Sequence, residues 1–317
     1  MTENRRKRII EEAHKSYQEL KNKYNYISLK SATTIVELDN CRDSSGKPVY
    51  VKNNLEKGIV YFGEPSTFND KHEFELKFKE ENWLEYILPN DYMVNDYKRY
   101  GWNLDEYICK CCSASQRKLV EENRKRLRRE GKLISNRRKK ELGVFCLAPT
   151  YLDKYYWEKY CNNYNGICCE YDINSIKNKA PRAIHLQVKY SNAGVEYLPE
   201  YLNPGIDPIG KSNIKSKLMR DRIGKKLDQT TNVINAMLST KSKKWEREKE
   251  NRLVLKLNDS SGVVVFSREV HATPVKIYCG YMVSEEIKEY LKTFCKNKQI
   301  AFEVVNKTDC ITMGNLR

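Results

Sequence analysis

The chain has 317 residues and a formal net charge of +16, with 40% apolar and 11% aromatic residues. A folded core is expected, and the length suits one large or two ordinary domains. No apolar run approaches the roughly 20 residues of a membrane helix, and the N-terminus lacks the apolar core of a signal peptide, so a cytoplasmic protein with no membrane partner is expected.

The positive excess favours an anionic partner, nucleic acid above all, and predicts salt-sensitive association. The competing reading is an ordinary set of solvated lysine-rich faces. The 22 tyrosines suit semi-buried surfaces and clefts. Eleven cysteines without a secretion signal should be reduced. Only Cys109, Cys111 and Cys112 cluster tightly, and no repeated C-x₂-C pair marks a zinc site.

Along the chain, Ile9, Ile10, Ala13, Tyr17 and Leu20 recur at helical spacing and predict a helix over 4–23. A short strand follows at Tyr24–Ser28, then a helical turn at Ser31–Leu38 and a turn at Asp43–Lys47. Gly58–Phe62 and Glu73–Phe78 read as strands around the loop Gly63–Asp70, and residues 81–110 as irregular or helical. Twelve of the 27 residues in 115–141 are Lys or Arg, which predicts a basic helix interrupted near Gly131, with Leu119, Leu127 and Leu133 as a thin apolar stripe. Its candidate phosphate contacts are Arg124, Lys125, Arg128, Arg129, Arg137 and Arg138. The alternative is a solvated helix between two layers.

Strands are predicted at Gly143–Leu147 and Gly166–Tyr171, flanking a helix over Tyr151–Tyr164. A strand at 184–190, a loop at Pro199–Gly210 and a long helix over 211–240 come next. Strands follow at Arg252–Leu257, Val263–Ser267 and Val275–Cys279. Ser284 caps a helix running to about Lys296, and Ile300–Val305 closes the pattern. The sum is an α+β chain with central mixed or antiparallel sheets: an N-terminal helix (1–23), then a single domain (24–317) carrying a basic helical insertion at about 112–141.

The chemically densest stretch is Lys241–Leu253. If a strand begins at Glu248, then Glu248, Glu250 and Arg252 share one face. Two carboxylates so placed need a cation or hydrogen bonds to ionise together, and Arg252 supplies one. The alternative is a solvated helix end in which Glu246 and Glu250 pair with lysines at helical spacing.

Four blocks in order resemble the bacterial domain of unknown function 2971 family. They are Tyr24–Leu29, then Ile59–Glu73 with Phe68, Asn69, Asp70 and Glu73, then Trp157, Tyr160, Gly166 and Glu170, and last Lys241, Trp245, Glu248, Glu250 and Arg252. Lys71 stands where that family's pattern has proline, and Gly280 with its strand and helix also fits. A weaker resemblance, to the ADP-ribosyltransferase fold, implies a split sheet and NAD as cofactor. It implies Glu250 as principal catalytic carboxylate with Glu248 as partner, Tyr26 and Ser28 on the nicotinamide side, and Asn69 and Asp70 as cleft wall. Trp157 and Tyr160 would stack a ring, the alternative being that they are core, with Trp157 a core anchor, and Arg252 would join the cofactor site, although no Arg or His stands in the opening strand.

Three classes follow. The first is an NAD-dependent transferase or glycohydrolase, a toxin or phage-defence effector acting on nucleic acid, with a partner antitoxin or sensor implied by the family. The second is a nuclease whose Asp70, Glu73, Glu170, Glu248 and Glu250 hold magnesium. The third is a non-catalytic nucleic-acid-binding or interaction protein, with the same residues forming a structural network.

Overall fold

The computed structural model describes Glu11 and residues 22–43, 45–68, 70, 73–192, 195–197, 235–257 and 267–312. Nearly all of the helices predicted over 4–23 and 211–240 lie outside these, as do Asn69, the loop 199–210 and residues 263–266. The strands, in chain order, are β1 (Asn22–Ser28), β2 (Cys41–Arg42), β3 (Pro48–Val49), β4 (Ile59–Tyr61) and β5 (Leu76–Phe78). Then come β6 (Leu142–Leu147), β7 (Gly166–Asp172), β8 (Ile184–Gln187), β9 (Lys189–Tyr190) and β10 (Val195–Tyr197). The last are β11 (Thr240–Lys241), β12 (Asn251–Lys256), β13 (Glu269–His271), β14 (Lys276–Gly280) and β15 (Ala301–Val305). The chain is α+β and divides into two compact units. The first comprises Met1–Asn69, Glu141–Val188 and Lys244–Arg317, and the second Asp70–Lys140 and Lys189–Lys243.

The first unit is built on a four-stranded sheet, β1-β7-β14-β15. Strand β7 pairs antiparallel with β1 and β14. Its sequence, GICCEYD, lacks the polar alternation of a one-sided strand because both of its faces are covered. Cys168 points into one apolar cluster and its neighbour Cys169 into the other, as alternation along a strand requires. Strands β14 and β15 are parallel, so a crossover must join them, and the helix Glu285–Lys298 supplies it. Ser284 caps that helix, its Oγ accepting from the Ile287 N–H. A second sheet, β6-β12-β8, is antiparallel throughout. The two sheets meet where Tyr24 and Ala148 exchange backbone hydrogen bonds of 3.2 and 2.7 Å.

Two boundaries differ from the sequence pattern. The helix expected over 151–164 is Lys154–Lys159, started by the Asp153 side chain accepting from the Tyr155 N–H. Beyond it, Asn162, Asn163 and Tyr164 all take positive φ, and the Tyr164 N–H returns to the Trp157 carbonyl. Asparagine tolerates that conformation, so the two asparagines end the helix where periodicity alone extends it. The expected strand at Glu73–Phe78 begins only at Leu76, because Glu73 and Phe74 form a turn.

The second unit packs the helices Leu84–Ile87, Asp91–Tyr100, Leu104–Cys111 and Ala114–Lys140 around Trp83, Ile87, Tyr107 and their neighbours. The helix Ala114–Lys140 is unbroken through Gly131. Val120 and Leu127 face the core, while Leu119 and Leu133, expected in the apolar stripe, are exposed. Val120 and Leu127 lie two turns apart on one face, and positions 119 and 133 fall about 90° and about 130° away from it.

The first unit also buries an uncompensated cation. Lys23 on β1 has 0% exposure, and its Nζ has no hydrogen-bond partner among the described residues. Burial lowers its pKa. The His185 imidazole on β8 is also driven down, first by burial and then by the Lys23 and Lys177 charges. A cation whose folded pKa lies below its unfolded value destabilises the fold fully at low pH. For Lys23 that penalty fades as pH rises from the folded pKa toward about 10.4, and for His185 as it rises toward about 6.5. Lys23→Met, close in volume, should therefore raise the unfolding free energy at neutral pH by about 1–3 kcal/mol and flatten the alkaline gain. Urea melts of both proteins across pH check this, and an unchanged or lower midpoint for the variant would sink it.

Candidate functional site

The E-x-E-x-R segment does not run as one strand. Lys243–Glu248 winds into a 3₁₀ turn, with the Lys249 N–H donating to the Glu246 carbonyl. Lys249 then takes φ +47°, and β12 begins only at Asn251. This reversal separates Glu248 from the alternation that would have aligned it with Glu250 and Arg252. It does not leave the carboxylates in water either. Glu248, Glu250 and Arg252 are 2%, 4% and 0% exposed.

Glu250 meets Arg252 two-pronged, Nε to Oε1 at 2.7 Å and Nη2 to Oε2 at 3.2 Å. The fork of the guanidinium matches both carboxylate oxygens, the strongest side-chain pairing geometry. The Glu250 main chain is fixed as well, its carbonyl accepting from the Val188 N–H.

Glu248 faces a different company. Its Oε1 accepts from the Tyr160 hydroxyl and, at 3.1 Å, from Lys159 Nζ. Its main-chain carbonyl accepts from the Tyr156 hydroxyl at 2.5 Å. Burial, and then the Glu248 charge, pushes the Tyr160 phenol pKa far up, so Tyr160 stays protonated and donating.

Above Glu248 lies an aromatic and cationic face. Lys159 Nζ sits 4.0 Å from the Trp245 ring centre and 4.9 Å from those of Tyr155 and Tyr160. Lys244 Nζ is 5.3 Å from Trp245, and the Arg247 guanidinium is 4.5 Å from the Tyr155 ring. Trp245, Tyr155, Tyr160 and Lys159 are half-buried, and Lys244 and Arg247 are exposed. The face comes from two short elements: the helix Lys154–Lys159 gives one edge and the 3₁₀ turn the other.

The remaining expected residues fall in several places. Tyr26 stacks on Tyr156 at 4.9 Å and donates to the Thr150 carbonyl. Ser28 is buried, its Oγ accepting from the Lys30 N–H. Trp157 is a core residue, 0% exposed, donating to the Tyr151 carbonyl and stacked on Tyr164. Glu170 is buried and accepts from the Tyr278 hydroxyl at 2.8 Å. Asp70 and Glu73 are buried in the second unit.

On the basic helix, Arg124 is paired with Glu80 and Asp105, Arg128 with Glu80 and Lys125 with Glu121. Arg129 is exposed, and the side chains of Arg137 and Arg138 lie outside the description. Among the described residues, no three or more His, Cys, Asp or Glu side chains gather as metal ligands would. All eleven cysteines are free thiols.

Sequence reasoning singled out the carboxylates and overlooked Lys159, Lys244 and Arg247. The available signal was the repeated placing of a cation next to an aromatic, in YYWEKY and KKWER.

The fold and this site define an α+β protein with a half-exposed aromatic and cationic face on a buried ionic base. Residues 156–253 match the model of a family described as "Protein of unknown function (DUF2971)". The match takes in Trp157, Tyr160, Gly166, Glu170, Lys241, Trp245, Glu248, Glu250 and Arg252, whereas the blocks at Tyr24–Leu29 and Ile59–Glu73 precede it. No curated protein and no solved structure matches the chain. No helix among the described residues is long and apolar enough to cross a membrane.

Proposed function

We propose that the protein binds single-stranded nucleic acid through the Trp245 face. The observation that carries this reading is the setting of Lys159, Lys244 and Arg247 against the Trp245, Tyr155 and Tyr160 rings. Bases stack on exposed rings whatever their sequence, and neighbouring cations take the phosphates. The net charge of +16 adds long-range attraction for a polyanion. In this reading Glu248 anchors Lys159 and Tyr160 from below. The Glu250–Arg252 pair is framework, holding the start of β12 beneath the 3₁₀ turn. Its burial supports that role over acid–base work on the ribose of a dinucleotide, which needs a carboxylate the substrate can reach.

Trp245→Ala is expected to weaken binding of a labelled oligouridine by about 1–3 kcal/mol, the usual worth of one stacked base. Lys244→Ala with Arg247→Ala should lessen the slope of log affinity against log salt by roughly 1.4, or about 0.7 for each lost phosphate contact. Fluorescence anisotropy over a salt series reads both. Wild-type affinity and slope in both variants would move the nucleic-acid surface elsewhere.

A further inference from the structure

The second unit has a partly open cavity of about 230 Å³ that the aromatic face does not use. Two sequence blocks supply its walls. From the first come Asp70 and Glu73, 7% and 4% exposed, joined by the Glu73 N–H donating to the Asp70 carbonyl at 3.0 Å. From the second come Thr240 and Lys241 of β11, whose parallel partner β9 leads into Ser191 and Asn192 on the opposite wall. Between them Phe74, 2% exposed, holds φ +62°, a conformation a bulky side chain adopts at a cost. Strain of that kind persists where the surroundings over-determine it, as binding sites do.

The lining defines what fits. Among the described lining residues, Asp70, Glu73 and Glu75 stand with Lys77 and Lys241, a formal balance of minus one, which does not favour an anion. Lys241 Nζ lies 3.8 Å from Glu73, so an entering ammonium would meet a cation beside the carboxylate. Carboxylates only accept hydrogen bonds, lysine only donates, and Ser191, Thr240, Ser242 and Asn192 do both. A hydroxyl group is the ligand group that can answer all three, since it donates and accepts at one atom. Phe74 and Met237 add apolar surface for the C–H face of a ring. The volume equals about eight waters' share of liquid and lies below the range of drug-sized pockets, so it has room for one ring.

We propose that this cavity holds the sugar ring of an uncharged, hydroxyl-rich ligand, with Asp70 and Glu73 accepting from vicinal hydroxyls. This goes beyond the nucleic-acid reading and involves no residue of the Trp245 face.

Saturation-transfer NMR on the full chain tests it with three probes, D-ribose, D-glucose and adenosine, which separate a pentose, a hexose and a nucleoside as the source of the ring. Transfer to sugar-ring protons of at least one probe is expected. Affinity for that probe should fall about tenfold or more in Asp70→Asn, which keeps the shape and removes the charged acceptor. Should Asp70→Asn fail to fold by circular dichroism, Ser242→Ala at the cavity wall should lower the same signal. No transfer from any probe at about 10 mM, far above a useful Kd, would overturn the proposal. So would transfer confined to the adenine ring, or sugar transfer unchanged in every folded variant.

Discussion

Arg252→Met is expected to lower the unfolding free energy by about 3–5 kcal/mol, more than the loss of one ordinary hydrogen bond. The reason lies in what remains. Arg252 is fully buried and grips both oxygens of Glu250, itself 4% exposed. Without the guanidinium, Glu250 loses that two-pronged partner in a solvent-excluded place. Denaturant melts should show the loss at neutral pH.

A double variant separates framework from chemistry. Replacing Glu250 and Arg252 together with leucine and methionine should restore much of the stability, because a buried ion pair exchanged for apolar packing is often neutral or better. If the pair is framework, the double variant also retains oligouridine binding. If wild type releases nicotinamide from NAD, and Glu250→Gln folds normally but does not, the framework role fails and the carboxylate is reactive.

How much of this was legible in the sequence depended on the kind of pattern each element carried. GICCEYD and the cap at Ser284 announced themselves, since an apolar run between breakers and a serine before two glutamates have few other solutions. The reversal at Lys249 did not. A lysine at positive φ has no local signature, and it moved Glu248 off the face of Glu250 and Arg252. Pairing was equally hidden. Alternation put Glu250 and Arg252 on one side of a strand, but whether that side met water or protein was decided by β6 and β8, more than sixty residues away in sequence for β8 and more than a hundred for the far end of β6. The basic helix shows the same limit. Its Arg-rich composition was plain, while the pairing of Arg124 with Glu80 and Asp105 is tertiary. Asp70 with Glu73, and Lys241, could be seen as parts of separate motif blocks, and the chain's return along β9 and β11 brings them to one cavity.

Gly280→Ala should be the most damaging single-methyl addition in the chain, costing upward of about 3 kcal/mol and leaving little folded protein. The glycine ends β14, where the sheet passes beneath the left-handed turn of Asn162–Tyr164. A Cβ at this position would land on the Tyr164 carbonyl oxygen, with the carbonyl carbon at 2.8 Å and the Cα at 3.0 Å. These are main-chain atoms, so no rotamer change relieves the clash. The turn has little freedom to retreat. The Tyr164 N–H is held by the Trp157 carbonyl, and its ring stacks on Trp157 at 5.6 Å with the planes nearly parallel. Displacing the turn therefore displaces Trp157 and, through the helix Lys154–Lys159, the lysine and tyrosines that Glu248 holds. Gly143→Ala gives the comparison: its Cβ would sit 2.7 Å from the Phe62 Cβ and 3.3 Å from the Phe62 carbonyl oxygen, a milder overlap than at Gly280 although the Phe62 Cβ is itself fixed by the backbone. Thermal melts of the two variants should place Gly280→Ala well below Gly143→Ala. The reverse order would mean that the turn yields to the sheet, and that the aromatic face is not held by the close passage of Gly280 under Tyr164.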